Sequence, residues 1–159
     1  MNEYRVTKYN PALRDETGAY KVDEWTFYAQ IDRSFGGVTL TEQEYKRVES
    51  AYIQATLAFL TEAGVAALSV EGLENSRRQQ LAWHEGTVVG LDKIPEVMGG
   101  ILREEFWCRL QGEQAFLHFG WDYYMYIGVP HRCPAAEQKA TELGLYVEEW
   151  ESPYHRESP

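Results

Sequence analysis

The chain has few cysteines, no long apolar run and no recognisable leader, and each absence excludes a class of protein. Only Cys108 and Cys133 occur among 159 residues. Two cysteines are too few for a disulfide scaffold and are typical of a reducing cytoplasm. No apolar stretch approaches the ~20 residues that a membrane-spanning helix needs, and residues 1–5 do not resemble a signal peptide. We therefore expect a cytoplasmic protein.

Basic residues are scarce relative to acidic ones. The sequence has 15 Lys and Arg against 25 Asp and Glu, which gives a net charge of −10. This charge repels phosphate backbones and anionic lipid headgroups, so we expect neither nucleic acid nor a membrane as a partner. A basic protein partner, a cation or a neutral ligand is compatible with it. The acidity also has a simpler explanation, since net negative charge keeps a small protein soluble.

Familiar catalytic and cofactor-binding motifs are missing from the sequence. It contains no Gly-x-x-x-x-Gly-Lys, no Gly-x-Gly-x-x-Gly and no Gly-x-Ser-x-Gly, so no nucleotide site or serine-nucleophile elbow is predicted. His131 and Cys133 lie two residues apart, but the paired Cys-x-x-Cys spacing of a zinc site does not occur. We therefore predict neither a metal nor a cofactor.

The hydrophobic pattern predicts one α+β domain over residues 1–159, with a mostly antiparallel sheet and two or three helices packed on one of its faces. The clearest helix spans 42–62, because Thr41 and Glu44 form a capping box and an apolar stripe follows them. Two further helices are expected over 92–105 and 134–143. Strands are expected at 4–9, 65–70, 106–110, 115–119, 123–127 and 145–150. The polar tail 152–159 is expected to fray.

The segment 116–127 is dense in aromatic residues and is the most informative part of the chain. On a strand, Tyr124 and Tyr126 would share the face opposite to the helices. Trp121, Glu148 and Trp150 would extend this face into an aromatic and acidic surface. Such a surface suits a basic protein partner, because Arg stacks on rings and bonds to carboxylates. In the competing interpretation, the rings cover the second face of the sheet or hold the 12–37 loop against it.

Two functions are compatible with this pattern. The first is a non-enzymatic recognition protein, of an immunity or regulatory type, that binds through Trp121, Tyr124, Tyr126, Glu148 and Trp150. It predicts that Tyr124→Ala with Tyr126→Ala abolishes partner capture and leaves the circular dichroism spectrum intact. The alternative is a small-ligand-binding protein or enzyme, with a pocket between the sheet and the 12–37 loop and with His84, His118 and Asp122 as polar groups. The tyrosine face is also a candidate contact for a homodimer.

Four segments resemble a group of small uncharacterised bacterial proteins. They are Lys-Tyr-Asn-Pro at 8–11, Asp-Glu-Trp-Thr at 23–26, the run Phe-Gly-Trp-Asp-Tyr-Tyr-Met-Tyr-Ile-Gly at 119–128 and the run Gly-Leu-Tyr-Val-Glu-Glu-Trp-Glu-Ser-Pro-Tyr at 144–154. The resemblance spans most of the chain. It implies a small bacterial cytoplasmic protein, and it identifies no catalytic residue because that group carries no assigned activity.

Overall fold

A computed structural model describes residues 1–156 and has the predicted α+β fold, with helices packed on an antiparallel sheet. Within that range, no helix has both the length and the apolar character needed to cross a bilayer. In chain order the elements are β1 (Asn2–Thr7), β2 (Ser34–Phe35), β3 (Val38–Thr39), α1 (Glu42–Glu62), β4 (Ala67–Glu74), β5 (Val88–Gly90), α2 (Ile94–Leu102), β6 (Trp107–Gln111), β7 (Phe116–Phe119), β8 (Met125–Val129), α3 (Pro134–Glu142) and β9 (Tyr146–Glu149).

The main sheet has seven strands in the order β5-β4-β6-β7-β8-β1-β9, and every neighbouring pair is antiparallel. Strands β6, β7 and β8 form the expected meander, in which consecutive strands pair directly. The first strand, β1, lies between β8 and β9. Five strand termini therefore meet at one end of the sheet: the ends of β4, β1 and β7 and the starts of β6 and β8.

Helix α1 has the predicted bounds, because its start and its buried face are both encoded locally. The Thr41 hydroxyl accepts a hydrogen bond from the Glu44 amide at 3.0 Å, which satisfies a donor that the helix itself leaves unpaired. Tyr45, Tyr52 and Phe59 recur along one face and are fully buried. The Tyr52 hydroxyl donates to the backbone carbonyl of Tyr123 at 2.9 Å and so connects the helix to the β7–β8 turn.

The long connection between β1 and α1 packs against both α1 and the β7–β8 turn. It contains two short 3-10 turns, at Pro11–Leu13 and Tyr28–Gln30, and the β2–β3 hairpin. Gly36 and Gly37 form the hairpin turn at φ values of 55° and 82°, a region that favours glycine. Trp25 is only 7% exposed and contacts the rings of Tyr45 and Tyr123.

The C-terminal segment crosses the other face of the sheet, and this corrects the prediction that residues 152–159 fray. Ser152 is 4% exposed, and its hydroxyl lies 2.7 Å from His118 Nδ1 on β7. The Tyr154 ring contacts the Tyr126 ring on β8, and His155 Nε2 lies 2.7 Å from a Glu3 carboxylate oxygen. Residues 152–156 are therefore held by the sheet. The remainder of the predicted tail, 157–159, lies outside the described residues.

Candidate functional site

A cavity of about 150 Å³ opens at the end of the sheet where β6 begins and β7 ends. Four parts of the chain enclose it: the loop at Thr26–Phe27, the end of α2 with the turn that follows it, the end of β4, and the β7–β8 turn. The antiparallel order of the sheet brings these distant segments together. The alternative hypothesis places a pocket between the sheet and the 12–37 loop, and of that loop Thr26 and Phe27 line this cavity.

The floor of the cavity is apolar and tightly packed. Five side chains that are at most 5% exposed form it: Ile101, Leu102, Phe106, Phe119 and Tyr123. Phe106 can lie against α2 because Gly100 has no side chain, and a Cβ at that position would overlap the Phe106 ring. Of the two adjacent glycines of α2, Gly100 therefore has a close packing contact that explains its presence in a helix.

The rim of the cavity is aromatic, with one large ring in solvent. Trp121 is 61% exposed to solvent. It lines the opening together with its neighbours Gly120 and Asp122. The indole of Trp107 is fixed by a hydrogen bond from Nε1 to the Phe119 carbonyl at 2.9 Å. Phe27 contributes a further ring from the opposite loop. An exposed Trp beside an apolar recess is typical of binding surfaces.

The charged residues that line the opening are all acidic. Glu74, Glu104, Glu105 and Asp122 line it, and the lining contains no Lys, Arg or His. None of the four forms an ion pair within residues 1–156. Elsewhere, by contrast, buried or half-buried acids such as Glu49 and Glu148 are paired with arginine. The cavity therefore has an unbalanced negative field over an apolar floor.

The backbone around the cavity adopts strained conformations. Glu104, Asp122 and Tyr123 have φ values of 60°, 60° and 68°, in a region that is uncommon for residues other than glycine. The last two occupy the central positions of the β7–β8 turn, where the Tyr124 amide donates to the Trp121 carbonyl at 3.2 Å. Such a turn matches the twist of a hairpin but costs energy at a bulky residue such as tyrosine. Strain of this kind is concentrated at functional sites.

A buried polar network supports the cavity from behind. The Tyr123 hydroxyl donates to the Tyr45 hydroxyl, which donates to a Glu49 carboxylate oxygen at 2.6 Å. The same carboxylate accepts two hydrogen bonds from the Arg103 guanidinium, at 2.9 and 3.0 Å. Burial raises the pKa of both phenols, and the hydrogen bond to Glu49 raises the pKa of Arg103. The network connects α1 to Arg103, which precedes Glu104 and Glu105. It therefore holds in place the turn formed by these two residues, the acidic turn.

Two of the predicted binding residues are covered, which corrects the expectation that they remain open. Tyr126 is 6% exposed because Tyr154 packs against it. Tyr124 is half-buried, its hydroxyl accepts a hydrogen bond from Arg14 at 2.7 Å, and its ring stacks on Tyr9. The competing interpretation of these rings, that they cover the second face and hold the loop, describes their contacts. We now expect their double alanine substitution to destabilise the fold.

Glu148 and Trp150 are engaged by Arg5 of β1 on the second face of the sheet. The Arg5 guanidinium donates two hydrogen bonds to the Glu148 carboxylate, at 3.1 and 3.0 Å, and lies 3.6 Å from the centre of a Trp150 ring. Trp150 is still 47% exposed on its outer side. Of the five residues predicted to bind, Trp121 is therefore the one that borders the cavity.

The three polar residues of the alternative hypothesis do not meet. Asp122 lines the cavity, but His84 and His118 do not. His84 is exposed and lies beside Thr87 in the β4–β5 connection. His118 is fully buried on the second face, with Nδ1 2.7 Å from the Ser152 hydroxyl and Nε2 2.9 Å from Gln111 Oε1. A pocket that uses His118 together with Asp122 is therefore ruled out by the fold.

The burial of His118 makes the fold sensitive to acid. Desolvation, followed by the nearby His155 and Arg109, lowers the pKa of His118 to about 3. The unfolded chain, with a pKa near 6.5, binds this proton first as the pH falls. The contribution of neutral His118 to the free energy of unfolding is therefore complete above about pH 6.5. It declines as the pH falls toward 3, by up to ~1.4 kcal/mol per pH unit. Urea unfolding at intervals between pH 7.5 and 4.5 measures this slope.

His118→Gln provides the control for the pH dependence. Glutamine can still bond to Ser152 but does not titrate, so the variant should be less stable at pH 7.5 and show a flatter slope between pH 6.5 and 4.5. Carboxylates such as Asp15, whose pKa is lowered to about 2 chiefly by its hydrogen bond with Thr17 and then by Lys21, contribute below this window. An unchanged slope in the variant would show that His118 is not the group responsible.

Sequence reasoning missed most of the cavity. Glu74, Glu104, Glu105, Phe106 and Trp107 were not singled out, although a Glu-Glu-Phe-Trp run at the end of a helix combines the charge and the rings of a recognition site.

The described residues contain no group of three or more His, Cys, Asp or Glu side chains placed to hold a metal ion. Comparisons with protein-family models, with curated proteins and with solved structures find no match to this chain.

Proposed function

We propose that this protein is a non-enzymatic recognition module, of an immunity or regulatory type, that binds a basic protein partner. The observation that carries the proposal is the cavity beside Trp121, whose charged groups are four carboxylates without ion-pair partners within residues 1–156. A basic partner would place positive charge beside these carboxylates, and such electrostatic complementarity favours association. The net charge of −10 adds long-range attraction for such a partner.

The cavity, rather than the Tyr124 and Tyr126 face, is the contact surface in this proposal. Its rim has an exposed Trp, and its strained turn positions Asp122 beside that ring. Trp and acidic residues placed around an apolar recess match the composition of energetically important interface centres and of their polar rims.

Neutralising two of the rim carboxylates is expected to abolish partner binding without loss of stability. The variant is Glu105→Gln with Asp122→Asn; asparagine tolerates the positive φ at 122. The measurement is quantitative capture from bacterial lysate at low and high salt. Basic proteins should be retained by the wild type at low salt, and should be lost with the variant and at high salt, because screening weakens attraction between exposed charges.

A matched control has the same change in net charge at a distance from the cavity. Glu16→Gln with Glu113→Gln removes two exposed carboxylates that do not line it. Capture that declines equally in both double variants would indicate general charge attraction and would contradict a role for the cavity.

Sedimentation of the wild type at two concentrations tests the homodimer, which should be absent if the cavity serves a different protein.

A further inference from the structure

The shape of the cavity limits what can fill it. Its volume of about 150 Å³ is similar to that of a cavity that accepts benzene, so one small flat group is enough to fill it. Its floor consists of Phe106, Phe119 and Tyr123 with two aliphatic side chains from α2. A flat group with weakly hydrated faces can enter such a recess at low cost in desolvation.

The charge of the cavity favours a cation. The four charged side chains in the lining, Glu74, Glu104, Glu105 and Asp122, are all carboxylates. A bare metal ion is disfavoured, because the described residues offer no cluster of three ligands for one. An organic cation, by contrast, can bond to one or two carboxylates and bury its remaining surface against the rings.

Arginine meets both conditions better than lysine does. A guanidinium is flat, is more weakly hydrated than an ammonium, bonds to a carboxylate through two parallel hydrogen bonds and stacks on aromatic rings. The protein already contains this arrangement: the Arg5 guanidinium lies 3.6 Å from the centre of a Trp150 ring and makes two hydrogen bonds to Glu148. Trp121, Asp122 and Glu105 line the cavity together, so a ring and two carboxylates are available there, and the lining contains no arginine.

We infer that the cavity is a receptor for a single arginine side chain presented by the basic partner. This inference rests on the proposed function and makes it specific. The guanidinium enters the recess over the Phe106 ring, its hydrogen bonds go to the carboxylates of Asp122 and Glu105, and the methylene chain lies along the Trp121 ring at the rim. The rest of the partner remains outside, where the other rim carboxylates face it.

Three tripeptides test the inference, each with acetyl-Gly before and Gly-amide after a central arginine, citrulline or lysine. Citrulline has nearly the shape of arginine without its charge. Binding is followed by the indole N–H signals of the protein in two-dimensional NMR, with the Trp121 signal assigned from Trp121→Phe. The arginine peptide should shift that signal and bind roughly tenfold or more tightly than citrulline, as expected for the loss of charge-assisted hydrogen bonds. Lysine should fall between them.

The variants and a free cation complete the experiment. Binding of the arginine peptide should be lost in Glu105→Gln with Asp122→Asn and retained in Glu16→Gln with Glu113→Gln. Equal binding of the arginine and citrulline peptides, or no binding of either, would overturn the inference. If basic proteins were still captured through the cavity in that case, the proposed function would survive alone. Guanidinium chloride is added as the free cation. Complete displacement of the peptide at low millimolar concentration would identify a small-cation site and overturn the inference that a partner presents the arginine.

Discussion

Replacing Gly100 with alanine is expected to destabilise the protein, whereas the same change at Gly99 stabilises it. A Cβ at Gly100 would overlap the Phe106 ring, but a Cβ at Gly99 meets only a Glu49 oxygen, at 3.8 Å. Overpacking a core costs about 1–3 kcal/mol. Gly→Ala inside a helix otherwise gains about 0.5–1 kcal/mol. Because the propensity gain is common to both variants, their free energies of unfolding from urea titrations should differ by roughly 1–3 kcal/mol.

The two glycines control for each other, since they are adjacent, share a helix and undergo the same chemical change. A second-site change, Phe106→Leu, should recover part of the loss in Gly100→Ala because the smaller side chain leaves room for the new methyl group. Equal stabilities of Gly99→Ala and Gly100→Ala would mean that the Phe106 ring does not lie where α2 meets the cavity. The assignment of Phe106 to the cavity floor would then be wrong.

Removing the Glu49 carboxylate is the second change with a large expected effect. Glu49→Ala should lower the free energy of unfolding by about 3 kcal/mol, because it leaves Arg103 and the Tyr45 hydroxyl without their partner in a mostly buried setting. The loss should fall at the lower end of the range for buried pairs, since the Arg103 side chain is 33% exposed and can reach water. Chemical unfolding by fluorescence measures it.

Two comparisons identify the cause of the Glu49 effect. Glu49→Gln keeps an acceptor for one hydrogen bond and should cost about half as much. Glu42→Gln breaks a fully exposed pair with Lys46, whose side chain is 62% exposed, and should cost at most about 0.5 kcal/mol. If Glu49→Ala costs no more than Glu42→Gln and leaves partner binding unchanged, the network does not support the turn of Glu104 and Glu105. Loss of binding in Glu49→Ala with little loss of stability would instead indicate that it positions Glu104 and Glu105.

Sequence patterns were sufficient where the information is local. The bounds of α1 followed from the Thr41 cap and from an apolar repeat that ends at Gly64, whose φ is 73°. Strand β4 was predicted to end at residue 70 but runs to Glu74. The extension depends on Glu85, whose carboxylate accepts hydrogen bonds from the amides of Gly72 and Leu73. The loop that follows β4 makes that contact, and Glu74 also pairs with Trp107 of β6, so the strand's own pattern contains neither signal.

The candidate site could be predicted only in part for the same reason. Trp121 and Asp122 were chosen because they lie in one dense aromatic segment, and both border the cavity. Glu74 and Glu105 come from other elements, which the sheet order alone brings beside them. Likewise, Ser152 is held by His118, 34 residues earlier in the chain. The polar tail has no periodicity of its own, so its local sequence does not indicate this contact with the sheet.

The place of β1 in the sheet has a consequence for biosynthesis. Its pairing residues, such as Tyr4 with Ile127 and Val6 with Val147, are in contact with strands that are translated long after it. The nascent chain therefore carries β1 unpaired until β8 and then β9 have left the ribosome, and Tyr4 and Val6 stay exposed meanwhile. Sheets closed by such distant pairings form slowly. Chaperones that shield apolar segments should accordingly raise the yield of this protein during translation.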